Sequence, residues 1–462
     1  MVKFFTENIQ NLINAKRFNP KYFDFINYLH KLKNNSKYEF KLLGDKSYFP
    51  ILSDGIHSEV SLETSGTVKY LYTHSLKNGF IDITDNIFLN LIDHSKNISK
   101  KITNNRVLIS VVGTLGNVAM FSDYIPYECN LPRNIAYVDT NETNILPEYL
   151  TCYFLSDFGI KQCVYSGGGN VQGLISLTKL KKFEILIPDM ETQAYYRKSY
   201  RKALSLQKEF LKKIEYCKQL FYKSLHIDTA NIKKDISFEV SQKDLFLNSI
   251  STPQFYNPYS NKILNYLKDN FEIVELGKIG DFQKGNEISS ENYFDYLNRP
   301  TESVPFIRTS DIYNHEIDSF PSIYADKNIF DNLHQDFKEN DLIISNDGKI
   351  GYCSIITKED TAIFQSHIKR YRVHKNTKHI TNQYVFLCLL IPEIGRSQFN
   401  KYTVVQSTIP TLSNRINKVN IPIINYNDMD TISDEVSQAF SLLSQKKQII
   451  KQIKSEISKL FQ

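Results

Sequence analysis

The sequence predicts a mixed α/β (α+β) fold written twice: two similar strand-rich modules, each running into a long helix. Three observations predict it. Val171-Gln172, Ile175 and Ile187-Pro188 are repeated at one constant offset by Val405-Gln406, Ile409 and Ile421-Pro422. A wider set of matches surrounds them: Asn19-Pro20 with Asn257-Pro258, Leu43-Gly44 with Leu276-Gly277, Tyr149 with Tyr384, and Ser110, Gly113 and Gly116 with Ser345, Gly348 and Gly351. Each copy then enters a long helical pattern. Self-similarity at so long a period marks duplication of a whole unit rather than a solenoid.

Within each half, short apolar runs alternate with turn residues. Arg106–Val112 and Asp341–Ser345 read as buried strands ended by glycine, and Val118–Phe121 and Cys353–Ile356 as their return strands. Ile135–Val138 and Lys369–Val373 alternate and read as further strands; Pro147–Phe158 and Thr381–Leu390 read as helices. The order of the strands is not derivable from these patterns. Glu191 to Leu225 contains neither Pro nor Gly, and apolar residues recur from Tyr196, Tyr200 and Ala203 to Phe221 and Leu225. In the C-terminal segment Val436, Ala439, Leu443, Ile450, Ile453, Ile457 and Leu460 follow steps of three and four, with Lys446 in one seam position. That is a coiled-coil seam. A helix of this length is a rod of roughly 50 Å and cannot bury one stripe alone. The economical partner is the other helix, packed antiparallel as a spacer between two modules. The alternative is that each helix folds back on its own module. The boundaries expected are 1–189 for the first module, 190–226 for its helix, 227–253 for a linker, 254–424 for the second module and 425–462 for the second helix.

A chain of 462 residues supports two to four domains with large cores. Its 41% apolar and 23% charged residues exclude a disordered chain. A net charge of +6 tolerates a polyanionic partner without demanding one. The six cysteines are scattered and not at metal-ligand spacing, which suggests reduced thiols and the cytoplasm. Residues 1–15 do not read as a signal peptide, and no apolar run is long enough to cross a bilayer.

Motifs that would carry catalysis are weak. Asn257-Pro258-Tyr259 resembles the loop with which adenine methyltransferases grip an amino group, but its second Pro is missing and no Gly-rich cofactor loop accompanies it. Ser166-Gly167-Gly168-Gly169-Asn170 is not followed by the Lys-Ser/Thr of a nucleotide-binding loop and reads as a mobile loop or a nucleic-acid contact. The Ser-x-x-Gly-x-x-Gly runs lack a nucleophile elbow and read as β-turns. The ten histidines form no metal motif. Two like modules on paired helices suit a DNA target.

In order, and twice, these motifs match one family. Phe18–Tyr22 and Phe255–Tyr259 open the modules and Leu43-Gly44 and Leu276-Gly277 follow. Then come Leu108–Gly116 and Leu342–Gly351, and each copy closes on a Gln-x-x-Ile…Ile-Pro run, Gln172–Pro188 and Gln406–Pro422. From about residue 16 to the C-terminus the chain resembles the specificity (S) subunit of type I restriction–modification systems. The resemblance implies two target-recognition domains joined by two long antiparallel helices. It implies a non-catalytic, phage-defence protein that binds double-stranded DNA and reads a split site. Methyltransferase (M) subunits would dock on the helices and a motor-nuclease (R) subunit would join them. S-adenosylmethionine, ATP and Mg would belong to those partners, and no cofactor to this chain. The first copy keeps the family's Gln before its helix, in Thr192-Gln193; the second, with Ile423-Ile424-Asn425-Tyr426, does not. The competing readings are a methylation-only or other defence complex, a single-chain nuclease or methyltransferase with an unrecognised site, and a protein-gripping scaffold.

Base readout needs donors and acceptors at base edges, whereas phosphate contacts need positive charge. A polar, basic segment follows a turn in each half. In the first, Lys69, Tyr72, Thr73 and His74 are the candidates; in the second, Arg308, suited to fork onto a guanine, with Thr309 and Ser310. The turn residues Thr114, Asn117, Asn346 and Lys349 come next, then Gln172 and Gln406 in the matched loops.

Overall fold

A computed structural model describes residues 19–168, 173–226, 237–248, 252–406 and 408–461. The chain divides into two compact units, Met1–Leu204 with Ile449–Gln462, and Ser205–Gln448. Two helices are shared between them: α1, Met190–Leu225, and α2, Tyr426–Ile457.

The described part of the first unit begins with a helix, Pro20–Asn35, whose N-terminus is capped by the Asn19 side chain accepting from the Lys21 amide. A four-stranded antiparallel sheet runs in the order Ile51–Asp54, Ile135–Asp139, Val107–Ser110, Val118–Met120. A second sheet is ordered Glu128–Asn130, Val68–Tyr70, Phe88–Leu89, Leu62–Glu63, its first pair parallel. An antiparallel ribbon of Glu39–Leu42 and Glu184–Ile187 ties the start of the module to its end. The helix expected over Pro147–Phe158 is two helices, Pro147–Leu155 and Asp157–Ser166. Ser156 takes an extended conformation, and its hydroxyl caps the second helix at Gly159.

The second unit repeats this strand for strand. Its sheets run Gly280–Lys284, Ile368–Val373, Leu342–Ser345, Cys353–Ile355, and Ile363–Phe364, Ser303–Ile307, Ile323–Asp326, Phe294–Asp295, with the same parallel pair. The ribbon returns as Glu272–Glu275 with Asn420–Ile423. Asn257-Pro258 repeats the first cap, its side chain accepting from the Tyr259 amide. Both Asn-Pro pairs are therefore helix starts, which accounts for them without catalysis. The segments expected as further strands form Ile135–Asp139 and Ile368–Val373. The first is buried throughout, and Lys369 and Arg370 of the second are buried too.

The ribbon corrects one sequence match. Glu39 pairs with Ile187, and Glu272 with Ile423. The Tyr149 hydroxyl donates to the Leu186 carbonyl at 2.6 Å, and Tyr384 to that of Pro422 at 2.7 Å. Leu186, not Pro188, is thus the counterpart of Pro422, and the repeated Ile-Pro is out of step by two residues. Likewise Ile175 donates to Val111 where Leu412, not Ile409, donates to Asn346.

The two long helices pack antiparallel in each unit. In the first, the Tyr195 hydroxyl meets Glu456 at 2.5 Å. In the second, Lys213 bonds Glu435 at 2.6 Å, Ser224 bonds Asp428 at 2.7 Å, and Phe210 meets Phe440 edge-on at 5.6 Å. The stripe from Tyr196 to Leu225 is buried, as are Val436, Ala439, Leu443, Ile450, Ile453 and Ile457. The seam residue Lys446 is buried as well; its ammonium donates to both carboxylate oxygens of Glu316, at 2.7 and 2.8 Å, and to Gln207 at 2.7 Å.

Gln193 is buried at the start of α1. It accepts from the Leu146 amide and donates to the Asn144 and Pro188 carbonyls. Its counterpart in α2 is the buried Met429, whose amide bonds Asn425 as that of Gln193 bonds Asp189. The missing Gln is thus a polar clamp replaced by apolar packing.

Candidate nucleic-acid interface

The Ser-x-x-Gly-x-x-Gly runs build the same turn in both units. Each strand ends in a serine whose hydroxyl accepts an amide seven residues on, Asn117 to Ser110 at 2.9 Å and Tyr352 to Ser345 at 2.8 Å. Each serine carbonyl accepts from the second glycine, Gly116 or Gly351. All four glycines have φ between +72° and +83°, a region side chains disfavour. At Gly351 a Cβ would also stand 2.5 Å from the Phe399 ring. The turn is fixed by its frame, and Thr114 in one copy and Lys349 in the other are exposed on it.

A short 3-10 turn lies beside it in each unit. Tyr72–Ser75 is closed by the Tyr72 amide on the Ser75 hydroxyl at 3.2 Å, and Arg308–Asp311 by the Arg308 amide on Asp311 at 2.9 Å. In the first unit the Asn117 side chain donates to the Thr73 carbonyl at 3.3 Å. In the second, Thr309 Oγ1 lies 3.9 Å from the place of a Cβ on Gly348. The fold thus brings Tyr72, Thr73 and His74 together with Asn117 and its turn. It likewise brings Arg308, Thr309 and Ser310 together with the turn of Asn346 and Lys349.

Each side chain has its own standing. Lys69 is not at the surface. It is 3% exposed, donates to the carbonyls of Ile83 and Asp85, and lies 4.3 Å over the Phe88 ring. Burial lowers its pKa. Tyr72 and His74 stack with ring centroids 5.7 Å apart, and His74 is exposed and paired to Asp85 at 2.7 Å. The Arg308 guanidinium is half committed, bonded to Asp311 at 3.2 Å and to Ser322 at 2.7 Å. Asn346 is buried, bonding the neighbouring Asp347. Lys349 is exposed, its ammonium 5.1 Å from the Tyr352 ring. Gln406 ends the strand Val404–Gln406, its backbone paired with Ile409. Gln172 lies outside the described residues.

Sequence reasoning passed over Asp347. Its carboxylate accepts from Asn346, Thr411 and the ring of His367, the last at 2.9 Å. The first copy has Val112 at that place, so repetition did not flag it. Exposed Arg133, before the strand Ile135–Asp139, was likewise not singled out.

A sequence profile described as "Type I restriction modification DNA specificity domain" matches residues 35–221 and again 268–457. The chain belongs to this family. It is a DNA-sequence specificity subunit of a type I restriction–modification system, a recognition subunit rather than a catalytic one. Three solved structures are similar. The S subunit of a type I restriction–modification system from M. genitalium is 14% identical over 93% of this chain and 96% of that one, with a TM-score of 0.35. The HsdS subunit from Thermoanaerobacter tengcongensis is 13% identical over 93% and 94%, with a TM-score of 0.27. A chain from a study of complex assembly and conformational transition of the type I R-M system is 13% identical over 93% and 96%, with a TM-score of 0.28. No curated protein matches. Among the described residues, no helix of the specificity subunit is long and apolar enough to cross a membrane.

Proposed function

We propose that this specificity subunit reads a two-part site in duplex DNA, one part with each unit, while partner subunits perform the chemistry. In this reading the paired helices α1 and α2 set the gap between the parts and dock two adenine-methyltransferase (M) subunits in the cytoplasm. A motor-nuclease (R) subunit completes a restriction complex. S-adenosylmethionine, ATP and Mg serve those partners. One observation carries the reading: the same pair of turns is built twice, with unlike cover. Tyr72 stands where Arg308 stands, His74 where Ser310 stands, and Thr114 where Lys349 stands. A shared frame with different donors and acceptors suits two half-sites of different sequence.

The test is to co-express the chain with its methyltransferase subunits and map the methylated adenines. A two-part consensus is expected, and substituting His74 or Lys349 should relax one part of it alone. Methylation or cleavage by the purified chain without partners would overturn the proposal in favour of an enzyme. Loss of sequence selectivity altogether would favour a scaffold.

A further inference from the structure

The second unit holds a cleft of about 680 Å³ beside the turn that carries Asn346 and Lys349. Two lysines stand on its wall, Lys284 and Lys369, directly opposite each other on neighbouring antiparallel strands. Side chains so placed share one face of the sheet, and like charges there repel. Lys369 is buried and donates to the Ser413 carbonyl at 2.7 Å; burial lowers its pKa, Asp347 pulls it back up, and the charge of Lys284 lowers it further. Two carboxylates also stand on the cleft, and both are already engaged. Asp281 is bonded to Arg370 at 2.6 Å, and Asp347 is shared among Asn346, Thr411 and His367. Asn346 is 3% exposed, and its Oδ1 has no hydrogen-bond partner. The first unit has none of this at the equivalent places. Asp54 pairs with Ala136 where Lys284 pairs with Lys369, and Val112 bridges Leu174 where Asp347 bridges Thr411.

A pair of lysines on one wall of a polar cleft is a seat for an anion. The adjoining turn belongs to the face read above as meeting DNA, and the inference rests on that reading. We propose that the cleft seats a backbone phosphate of the DNA, held between Lys284 and Lys369 beside one half-site, with no counterpart among the described residues of the first unit. Asn414 and Asn417, which also line it, supply neutral donors. Such a contact adds affinity without sequence preference.

Lys284 is exposed, so Lys284→Ala leaves the fold in place. The complex with methyltransferase subunits is titrated with a duplex carrying the mapped site and with the same duplex altered in one half. The salt dependence of binding should lose about 0.9 from its log–log slope, equally for both duplexes. Lys358→Ala, an exposed lysine away from the cleft, should leave the slope unchanged. Replacing phosphates one at a time by neutral methylphosphonates should reveal one position that weakens the wild type and not Lys284→Ala. An unchanged slope overturns the proposal. So does a loss confined to one base pair, which would make Lys284 a base reader, or equal competition by inorganic phosphate at the same concentration as the duplex. A wild-type complex without sequence selectivity would instead sink the recognition reading itself.

Discussion

Arg308 shows how a recognition candidate is also a structural one. Its guanidinium neutralises Asp311, a carboxylate 2% exposed whose pKa burial raises. Removing the cation leaves that acid buried without its counter-charge. Because Arg308 itself is a third exposed, Arg308→Ala should cost about 1–3 kcal/mol of stability rather than the full value of a buried pair. With the folded pKa of Asp311 raised, the deficit is least in acid and grows as pH rises through that pKa. Urea midpoints across pH check this, and Arg308→Ala, Asp311→Asn should recover much of it. A binding defect that survives in the double variant belongs to DNA contact; one that disappears was folding. His315 offers a second titration. It sits in the left-handed region at φ +60°, edge-on to Phe386 at 5.9 Å, and burial with the charge of Lys218 takes its pKa down to about 3. A depressed histidine adds stability that is complete above its ordinary value near 6.5 and lost as pH falls. The loss should approach about 1 kcal/mol per pH unit below 6. His315→Asn, which tolerates the backbone, should flatten that slope, and a slope unchanged by the substitution would refute the assignment.

Elements defined by local chemistry were legible in the sequence. The turn strands announced themselves because only glycine suits a φ near +80° twice in seven residues. The helical seams were legible because burial repeats every three to four residues. Sheet order was not, since pairing such as Val68–Tyr70 with Glu128–Asn130 joins segments far apart in sequence. The Ile-Pro match misled by two residues because identity at a constant offset ignores insertions between strands, whereas hydrogen bonds such as Tyr384 to Pro422 do not. Lys446 was legible as an interruption of the seam but not as a lock, because Glu316 lies in a distant hairpin. The pair is buried on both sides, 3% and 2% exposed. Lys446→Met should therefore destabilise by about 3–5 kcal/mol, and adding Glu316→Gln should restore most of that. Denaturation of the four proteins of this cycle measures the coupling; additive losses would mean that the two groups do not depend on each other.

At the scale of the whole molecule, the proposed function divides recognition into two jobs with one architecture. The candidate residues fall into two groups, each assembled inside a single unit: Tyr72, Thr73, His74, Thr114 and Asn117 in one, Arg308, Thr309, Ser310, Asn346 and Lys349 in the other. That grouping was readable because polar residues follow matched turns. The burial of Lys69 was not, since its carbonyl partners are supplied by the loop at Ile83 and Asp85. Sites without shared partners contribute independently, within about 0.5 kcal/mol. His74→Ala and Lys349→Ala should thus each weaken binding to the mapped site, and the double variant should lose the sum of the two free energies. Each single variant should also discriminate normally at the half-site it does not touch. Binding curves against duplexes altered in one half at a time test this. A double variant that loses much more or much less than the sum would mean that the two units read DNA as one coupled surface, and the division of labour drawn from the repeated turns would fail.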